Sequence, residues 1–280
     1  MKWVSFCTDD GYCSFGLVKD DAIIDAGGRD HHHTSLRGAL ESGALDTLGR
    51  ALTGERASHR LSEIALLPIV PDADKVLAIG RNYKAHLDEL GAEQPEAPRT
   101  FIKHMSALVG SGQPVVRPKV SERFDYEGEL CAVIGIGGRH IEPAKALDHV
   151  AGYTLMMYGS VRDFQKHSVP AGKNFDKSGS VGPFLVTSDE IPDPSALTLL
   201  TRINGETVQE SGTDMLIYDI PTYIAYLSQW MELKPGDIIA SGTPGGVGQK
   251  REPPLWLKPG DVVEVEIAEI GILTNPVVAE

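Results

Sequence analysis

One segment decides the fold: Asp125-Tyr126-Glu127-Gly128-Glu129-Leu130-Cys131-Ala132-Val133-Ile134-Gly135. Its second half is apolar and rich in β-formers, which predicts a strand that ends at Gly135. Successive side chains of a strand point to opposite faces, and both faces are apolar here. One face carries Cys131 and Val133, and the other carries Leu130, Ala132 and Ile134. This pattern is typical of an interior strand that is covered on both sides.

Glu127 and Glu129 lie at the start of this strand and are predicted to point the same way, roughly 7 Å apart. Two carboxylates at the mouth of a buried strand repel each other, and burial strengthens the repulsion. A cation between them removes the repulsion, and paired carboxylates with water or substrate oxygens suit Mg²⁺, Mn²⁺ or Ca²⁺. The alternative is that both glutamates lie in water at a frayed strand end. Spacing alone leaves both interpretations open.

The bulk composition restricts the classes of function. With 280 residues and 41% hydrophobic content, the chain can bury one large core or a main domain plus a small one. A net charge of −13 argues against nucleic acids and anionic membrane surfaces as partners, since both need a basic face. The apolar runs are too short to span a bilayer, and the N-terminus lacks the features of a signal peptide. The three cysteines, Cys7, Cys13 and Cys131, form no CxxC pair, so we expect reduced thiols and a cytoplasmic protein.

Residues 1–70 are predicted to form a small separate α+β domain. Short strands and two short helices are expected at Trp3–Cys7, Tyr12–Val18, Ala22–Asp25, Ser35–Glu41 and Ala44–Leu52. The run His31-His32-His33 could bind a transition metal. However, adjacent side chains point in different directions, so a solvated loop is favoured.

The main domain is predicted to begin at residue 71, with a first strand at Lys75–Gly80. Asn82 can then cap a short helix that Gly91 ends. His86 and Glu89 are three residues apart and therefore neighbours on one helical face. A histidine beside a carboxylate is a base held in one tautomer. The alternative is a surface pair with no catalytic task.

Two glycine-rich loops could approach a ligand. Lys173, between Gly172 and Asn174, could place an ammonium group over a pocket or could be solvated. The segment Ser241–Lys250 lacks the glycine-lysine spacing of a phosphate-binding loop. We expect its glycines around Thr243 instead to allow the backbone to approach a small ligand closely.

Further along the chain, a hairpin is predicted for Leu199–Ile203 and Glu206–Glu210 across Asn204-Gly205. Asp219 is predicted to cap a helix with an apolar stripe that faces the core. That stripe comprises Ile220, Tyr223, Ile224, Leu227, Trp230 and Met231.

From about Lys75 to the C-terminus the chain resembles the fumarylacetoacetate hydrolase family. Six motifs occur in one order: Gly80-Arg81-Asn82-Tyr83 with His86 and Glu89, Phe101-Ile102-Lys103, Tyr126-Glu127-Gly128-Glu129-Leu130, Ser160-Val161-Arg162-Asp163-Phe164-Gln165, Gly172-Lys173-Asn174-Phe175-Asp176, and Ser241-Gly242-Thr243-Pro244-Gly245-Gly246-Val247-Gly248. The resemblance implies an α+β, mostly β, mixed-sheet catalytic domain over residues 71–280. It also implies a smaller N-terminal domain and a homodimer.

The resemblance further implies a divalent cation, Mg²⁺ or Mn²⁺, that holds a 2-oxo acid and stabilises an enolate-like charge. Glu127 and Glu129 would be the metal ligands. His86 would activate water and Glu89 would orient it. Lys173 would balance charge near the oxyanion. The residues expected to contact the substrate are Arg81, Tyr83, Arg162, Gln165 and Thr243.

Tyr158 departs from the family pattern, because the family usually has an aspartate at this position as its third metal ligand. A phenol with a pKa near 10 is a poor ligand for Mg²⁺ unless it ionises. Three interpretations follow: the metal still binds weakly through Glu127 and Glu129, Tyr158 acts as an acid or base in metal-free chemistry, or catalysis is lost.

The leading hypothesis is a hydrolase that cleaves a carbon–carbon bond in a 2-oxo or β-diketo acid of the acylpyruvate type. The alternatives are a metal-independent lyase, isomerase or decarboxylase on the same scaffold, and a catalytically silent protein that binds small anions. The retained His86, Glu89 and Lys173 argue against the silent protein.

Overall fold

A computed structural model describes residues 1–29 and 32–280. The prediction for the run His31–His33 falls partly outside the described residues, so its role stays a prediction.

Strands dominate the described chain, as the predicted α+β, mostly β class requires. The strands are β1 (Lys2–Thr8), β2 (Cys13–Lys19), β3 (Ala22–Asp25), β4 (His59–Arg60), β5 (Ile64–Leu66), β6 (Val76–Gly80), β7 (Arg99–Ile102), β8 (Leu108–Val109), β9 (Val115–Arg117), β10 (Phe124–Asp125), β11 (Gly128–Ile134), β12 (Val150–Met157), β13 (Ser160–Val161), β14 (Gly179–Thr187), β15 (Thr198–Ile203), β16 (Glu206–Gly212), β17 (Ile238–Ala240), β18 (Val262–Ile267) and β19 (Gly271–Ala279). The α-helices are α1 (Leu36–Glu41), α2 (Leu45–Leu52), α3 (Lys84–Leu90), α4 (Val169–Lys173) and α5 (Ile220–Trp230).

The large sheet has mixed pairing and runs in the order β4-β3-β2-β1-β14-β12-β11-β17-β6-β7. A second sheet runs in the order β16-β15-β18-β19-β9 and packs on the first. No helix among the described residues is both long and apolar enough to cross a membrane.

Strand β11 lies inside the large sheet between β12 and β17, with Cys131 opposite Thr154 and Ala240. Its alternating faces enter two different cores, because Leu130, Ala132 and Ile134 belong to one and Cys131 and Val133 to the other. The predicted interior strand is therefore confirmed. The strand begins only at Gly128, so Glu127 precedes it. The backbone N–H of Gly128 donates a hydrogen bond to the side chain of Gln209.

The predicted hairpin and capped helix are also found. β15 and β16 pair across Asn204-Gly205, and the Asp219 side chain accepts a hydrogen bond from Thr222 N at the start of α5. The prediction that Trp230 faces the core is wrong, because its side chain is 51% exposed. It is the last residue of α5 and lies at the edge of a cavity, so only part of its ring is covered.

The N-terminal strands continue the large sheet, because β1 pairs with β14 through Trp3 and Leu185. Residues on both sides of position 70 therefore share one sheet, and a separate domain over residues 1–70 stays a prediction.

The expectation that Cys7 and Cys13 are reduced is wrong. They are cross-strand partners in the β1–β2 hairpin, their Cα atoms are 4.1 Å apart and they form a disulfide. The cysteines therefore no longer support a reducing compartment, although Cys131 is free and buried.

Candidate active site

The start of β11, the loop after β6, helices α3 and α4, and the glycine-rich loop after β17 enclose a cavity of about 730 Å³. Most side chains predicted for the site line it. They are Arg81, His86, Glu127, Glu129, Arg162, Gln165, Lys173 and Thr243. Tertiary structure thus brings together residues that lie as far apart as positions 81 and 243.

Helix α3 presents His86 to the cavity. His86 is 6% exposed, and its Nδ1 lies 3.3 Å from Glu89 Oε2. Glu89 does not line the cavity, but its Oε1 accepts a hydrogen bond of 3.0 Å from Gly246 N. Burial alone would raise the pKa of Glu89, but the hydrogen bonds from His86 and Gly246 outweigh it and lower the pKa. A charged Glu89 therefore holds the imidazole in one orientation.

Asn82 was predicted to cap α3, and this is wrong. The helix begins after Tyr83 without a side-chain cap, while Gly91 ends it in the left-handed conformation with φ 63°. The Asn82 amide instead donates to the carbonyls of Tyr218 and Ser241, at 2.9 and 2.8 Å. Asn82 thereby ties the loop that begins α3 to the glycine-rich loop.

Glu127 is surrounded by cations. Its Oε2 is paired with Lys173 Nζ, and its Oε1 lies 2.6 Å from Arg162 Nη2. Ser160 Oγ also donates to Oε1, at 3.2 Å. Burial alone would raise the pKa of Glu127, but Lys173 and Arg162 outweigh it and lower the pKa to about 2. Glu127 is therefore ionised and its charge is neutralised by the protein.

Glu129 has a different environment, although it is only 2% exposed. Its Oε2 accepts a hydrogen bond of 2.9 Å from Gly242 N, and no ion pair to it occurs among the described residues. Burial, and then the charge of Glu127, raises the pKa of Glu129 to about 8. The two glutamates thus lie on one cavity wall, as the sequence predicted. Their pKa values are shifted in opposite directions, so Glu127 favours the ionised form and Glu129 the protonated form.

The glycine-rich loop is held by two buried side chains. Asp125 accepts hydrogen bonds from Gly248 N and Gln249 N at 2.8 and 3.1 Å, and it also pairs with Arg162 Nε at 2.7 Å. Gln209 Nε2 donates to Thr243 Oγ1 at 2.9 Å. These contacts fix Thr243 on the cavity wall. Nothing in the sequence singled out Gln209, because its role depends on strand β16 packing beside the loop.

Two tyrosines predicted for the site are not on the cavity wall. Tyr83 and Tyr158 are both fully buried, and neither hydroxyl has a hydrogen-bond partner among the described residues. The Tyr158 ring packs edge-on against Phe101, 5.8 Å between centroids, inside the second core. Burial, and then Glu129, raises the pKa of Tyr158 well above 10. The predicted substrate contact of Tyr83 and catalytic role of Tyr158 are therefore corrected: both are packing residues behind the wall.

Two cationic residues received no role in the sequence analysis, although Lys103 belongs to one of the six motifs. Lys103 is 1% exposed, lies 4.0 Å from the Tyr158 ring centroid and donates to the Lys173 carbonyl at 2.7 Å. Burial, and then Lys173, lowers the pKa of Lys103 to about 7. Arg99 lines the cavity from the first position of β7. Its only sequence signal is that it shares a strand face with Phe101, which also lines the cavity.

The side chains present do not fit the three-carboxylate metal site that the resemblance implies. Both oxygens of Glu127 already face cations, and the third position holds the neutral, buried phenol of Tyr158. The described residues contain no cluster of three His, Cys, Asp or Glu side chains that could hold a metal ion. Glu127 and Glu129 remain the only two carboxylates among the side chains described on the cavity wall. Mg²⁺ or Mn²⁺ at this site stays a prediction of the resemblance, and the donor set of this chain does not support it.

The chain is similar to several named proteins over most of its length. Residues 75–278 match the family profile described as fumarylacetoacetate hydrolase, C-terminal. A Xenopus laevis protein named oxaloacetate tautomerase fahd2, mitochondrial, is 41% identical over 99% of this chain and 90% of its own. The fumarylacetoacetate hydrolase of Exiguobacterium antarcticum superposes with a TM-score of 0.84 at 33% identity, over 100% of both chains. The maleylpyruvate hydrolase of Sphingobium sp. SYK-6, solved with manganese(II) and pyruvate, gives 0.83 at 30% identity, over 100% of this chain and 99% of its own.

Proposed function

The chain belongs to the fumarylacetoacetate hydrolase family, and from that premise we propose that it interconverts the keto and enol forms of a 2-oxo acid. One observation carries this proposal: a carboxylate-oriented base, His86, and a buried cation, Lys173, line the same cavity. Enolisation needs a base at carbon and a positive charge near the oxygen, and it needs no further reactant. The similarity to a protein named oxaloacetate tautomerase supports the same reaction.

In this mechanism His86 takes a proton from the carbon next to the 2-oxo group. The electrons of that C–H bond form a carbon–carbon double bond, and the π electrons of the ketone move to its oxygen, which gives an enolate. Lys173 and Arg162 stabilise its negative charge, since both are buried cations on the cavity wall. A proton from solvent then converts the enolate to the enol, and protonated His86 returns its proton to solvent. Glu89 holds the imidazole in place, and Gln165 and Thr243 position the substrate.

The second candidate is the predicted hydrolysis of a carbon–carbon bond in an acylpyruvate. The His86–Glu89 pair favours it, because an oriented imidazole can also remove a proton from water. The hydroxide adds to the distal carbonyl carbon, the bond to the neighbouring carbon breaks, and its electrons form an enolate that takes up a proton. The similarity to a maleylpyruvate hydrolase supports this candidate. Both candidates share the enolate and the cations that stabilise it.

A divalent ion would polarise the ketone if it were bound. The cations already paired with Glu127 and the neutral ring of Tyr158 make the site a poor match for such an ion, which favours chemistry that does not need one. A homodimer and a cytoplasmic location stay predictions for this chain.

Two assays on the purified protein in chelator-treated buffer test the proposal. The first follows the ultraviolet absorbance of enol-oxaloacetate as it relaxes to the keto form, and the second follows cleavage of an acylpyruvate. The matched control is His86→Ala. We expect enol-oxaloacetate to relax faster with the unmodified protein than with His86→Ala. We expect neither protein to cleave the acylpyruvate. Cleavage that depends on His86 would establish the second candidate. Equal rates with both proteins in both assays would overturn the proposal.

A further inference from the structure

Gln209 lies behind the cavity wall and is hydrogen-bonded to two separate parts of it. The side chain is 2% exposed and comes from β16, the strand at one edge of the second sheet. Its Oε1 accepts a hydrogen bond of 3.0 Å from Gly128 N at the start of β11. Its Nε2 donates to Thr243 Oγ1 at 2.9 Å and to the Pro244 carbonyl at 3.0 Å. One buried amide therefore links the start of β11 to the glycine-rich loop.

The orientation of this amide is fixed by the chemistry of its partners. A backbone N–H can only donate, so the amide oxygen must face Gly128. A carbonyl can only accept, so the amide nitrogen must face Pro244. The second proton of the same NH2 group is donated to Thr243 Oγ1. Thr243 is therefore the acceptor in this contact, and its own hydroxyl proton must point elsewhere.

Two glycines bring the hairpin that carries Gln209 against these backbones. Gly246 has φ 96°, and a Cβ at this position would lie 2.3 Å from the Val208 carbonyl oxygen. A Cβ at Gly128 would lie 2.1 Å from Thr201 Oγ1. Both distances are shorter than non-bonded contacts allow, so each position requires a glycine. The β15–β16 hairpin is therefore packed directly against the glycine-rich loop and the start of β11.

The hydroxyl proton of Thr243 is left for a ligand. Thr243 lines the cavity and is 4% exposed. Its hydroxyl donates to no acceptor within residues 1–29 and 32–280. Hydrogen bonds to an ionised oxygen are roughly twice as strong as those between neutral groups. A carboxylate or enolate oxygen in the cavity is therefore the acceptor that this donor suits best.

We propose that Gln209 is a positioning residue that sets Thr243 as the hydrogen-bond donor to an anionic oxygen of the substrate. Gln209 is not among the described residues that line the cavity, so it acts through Thr243. This inference rests on the function proposed above, because it takes a 2-oxo acid as the ligand.

Calorimetry with pyruvate, a small 2-oxo acid, tests the inference without any turnover. Thr243→Ser keeps the hydroxyl and Thr243→Val removes it, so the ratio of their dissociation constants measures the donated hydrogen bond. With Gln209 in place, we expect Thr243→Val to bind pyruvate about 10–100-fold more weakly than Thr243→Ser, the range for a hydrogen bond to a charged group. Combined with Gln209→Met, the same two variants should differ by no more than about threefold, because the hydroxyl is then free to donate within the protein.

Two further variants complete the experiment. Gln209→Glu still accepts from Gly128 N but offers no N–H to Thr243, so it should also abolish the difference between Thr243→Ser and Thr243→Val. It gives the same comparison if Gln209→Met does not fold, which circular dichroism and the thermal midpoint verify. Thr207→Val changes an exposed threonine of β16, is the matched control and should leave pyruvate binding unchanged.

The outcomes separate the positioning role from packing and from the reaction. If Thr243→Ser and Thr243→Val differ by the same factor with and without Gln209, the residue serves packing alone and the inference is overturned. Equal binding by these two variants with Gln209 in place would also overturn it, because Thr243 would then donate nothing. Absence of pyruvate binding to the unmodified protein would overturn both the inference and the proposed function. The expected dependence on Gln209, without faster relaxation of enol-oxaloacetate, would overturn only the proposed function.

Discussion

The ammonium nitrogen of Lys103 lies 4.0 Å from the centre of the Tyr158 ring, and both side chains are buried behind the wall of the cavity. Lys173 Nζ contacts the same ring from 4.6 Å. Tyr158 stands where the family resemblance implies a carboxylate ligand. The structure therefore has two ammonium groups and a neutral ring at a place where a metal site would have negative charge.

We predict that the unmodified protein binds Mg²⁺ and Mn²⁺ weakly or not at all, and that Tyr158→Asp binds them at least about tenfold more tightly. A third carboxylate adds a hard oxygen ligand and a negative charge, which both cations favour. Calorimetry with each metal measures the effect.

Tyr158→Asn is the matched control for that titration, since it has the same shape as the aspartate variant without the charge. It should not gain affinity. Tight Mn²⁺ binding by the unmodified protein would show that Glu127 and Glu129 suffice as ligands, and that Tyr158 is irrelevant to the metal.

His86→Ala should lower kcat by roughly 10²–10⁴-fold, the usual contribution of a positioned general base. His86 lies on the cavity wall beside Glu89, which supports this role. Glu89→Gln should cost less, because it leaves the base and removes only its charged partner. Steady-state kinetics distinguishes the two variants: Glu89→Gln should retain a measurable part of the kcat that His86→Ala loses. An unchanged kcat in His86→Ala would exclude this histidine from the reaction.

Glu129 should make the protein less stable as the pH rises from about 4.5 to about 8. Its pKa is raised from 4.5 to about 8 in the folded state, so in this window the folded state holds a proton that the unfolded state has lost. Glu129→Gln should remove this part of the slope. Urea denaturation at pH 5, 6.5 and 8 in chelator-treated buffer measures it. Parallel curves for the two proteins would contradict the raised pKa.

Lys103 should have the opposite effect at higher pH. Its pKa falls from 10.5 to about 7, so between these values the unfolded state binds the extra proton and stability rises with pH. Lys103→Met keeps much of the side-chain volume and should remove the rise between pH 7 and 10. Lys119→Met is a control for an exposed lysine. A rise of equal size in Lys103→Met would assign it to other groups.

Much of the fold was readable from the sequence because the relevant signals are local. The alternation of Leu130 and Cys131 along β11, the turn at Asn204-Gly205 and the Asp219 cap each depend on neighbouring residues, and each is confirmed. The helical spacing of His86 and Glu89 likewise fixed their contact. The local signal failed where a side chain found a distant partner, as Asn82 did with Tyr218 and Ser241.

The sequence by itself determined the family, the interior strand β11 and eight of the side chains on the cavity wall. Tertiary structure alone decided which charges meet. The pairing of Glu127 with Lys173 and the position of Lys103 beneath the Tyr158 ring join residues from separate elements. Electrostatic energies depend on distance and burial, and neither quantity is encoded in the spacing of residues along the chain.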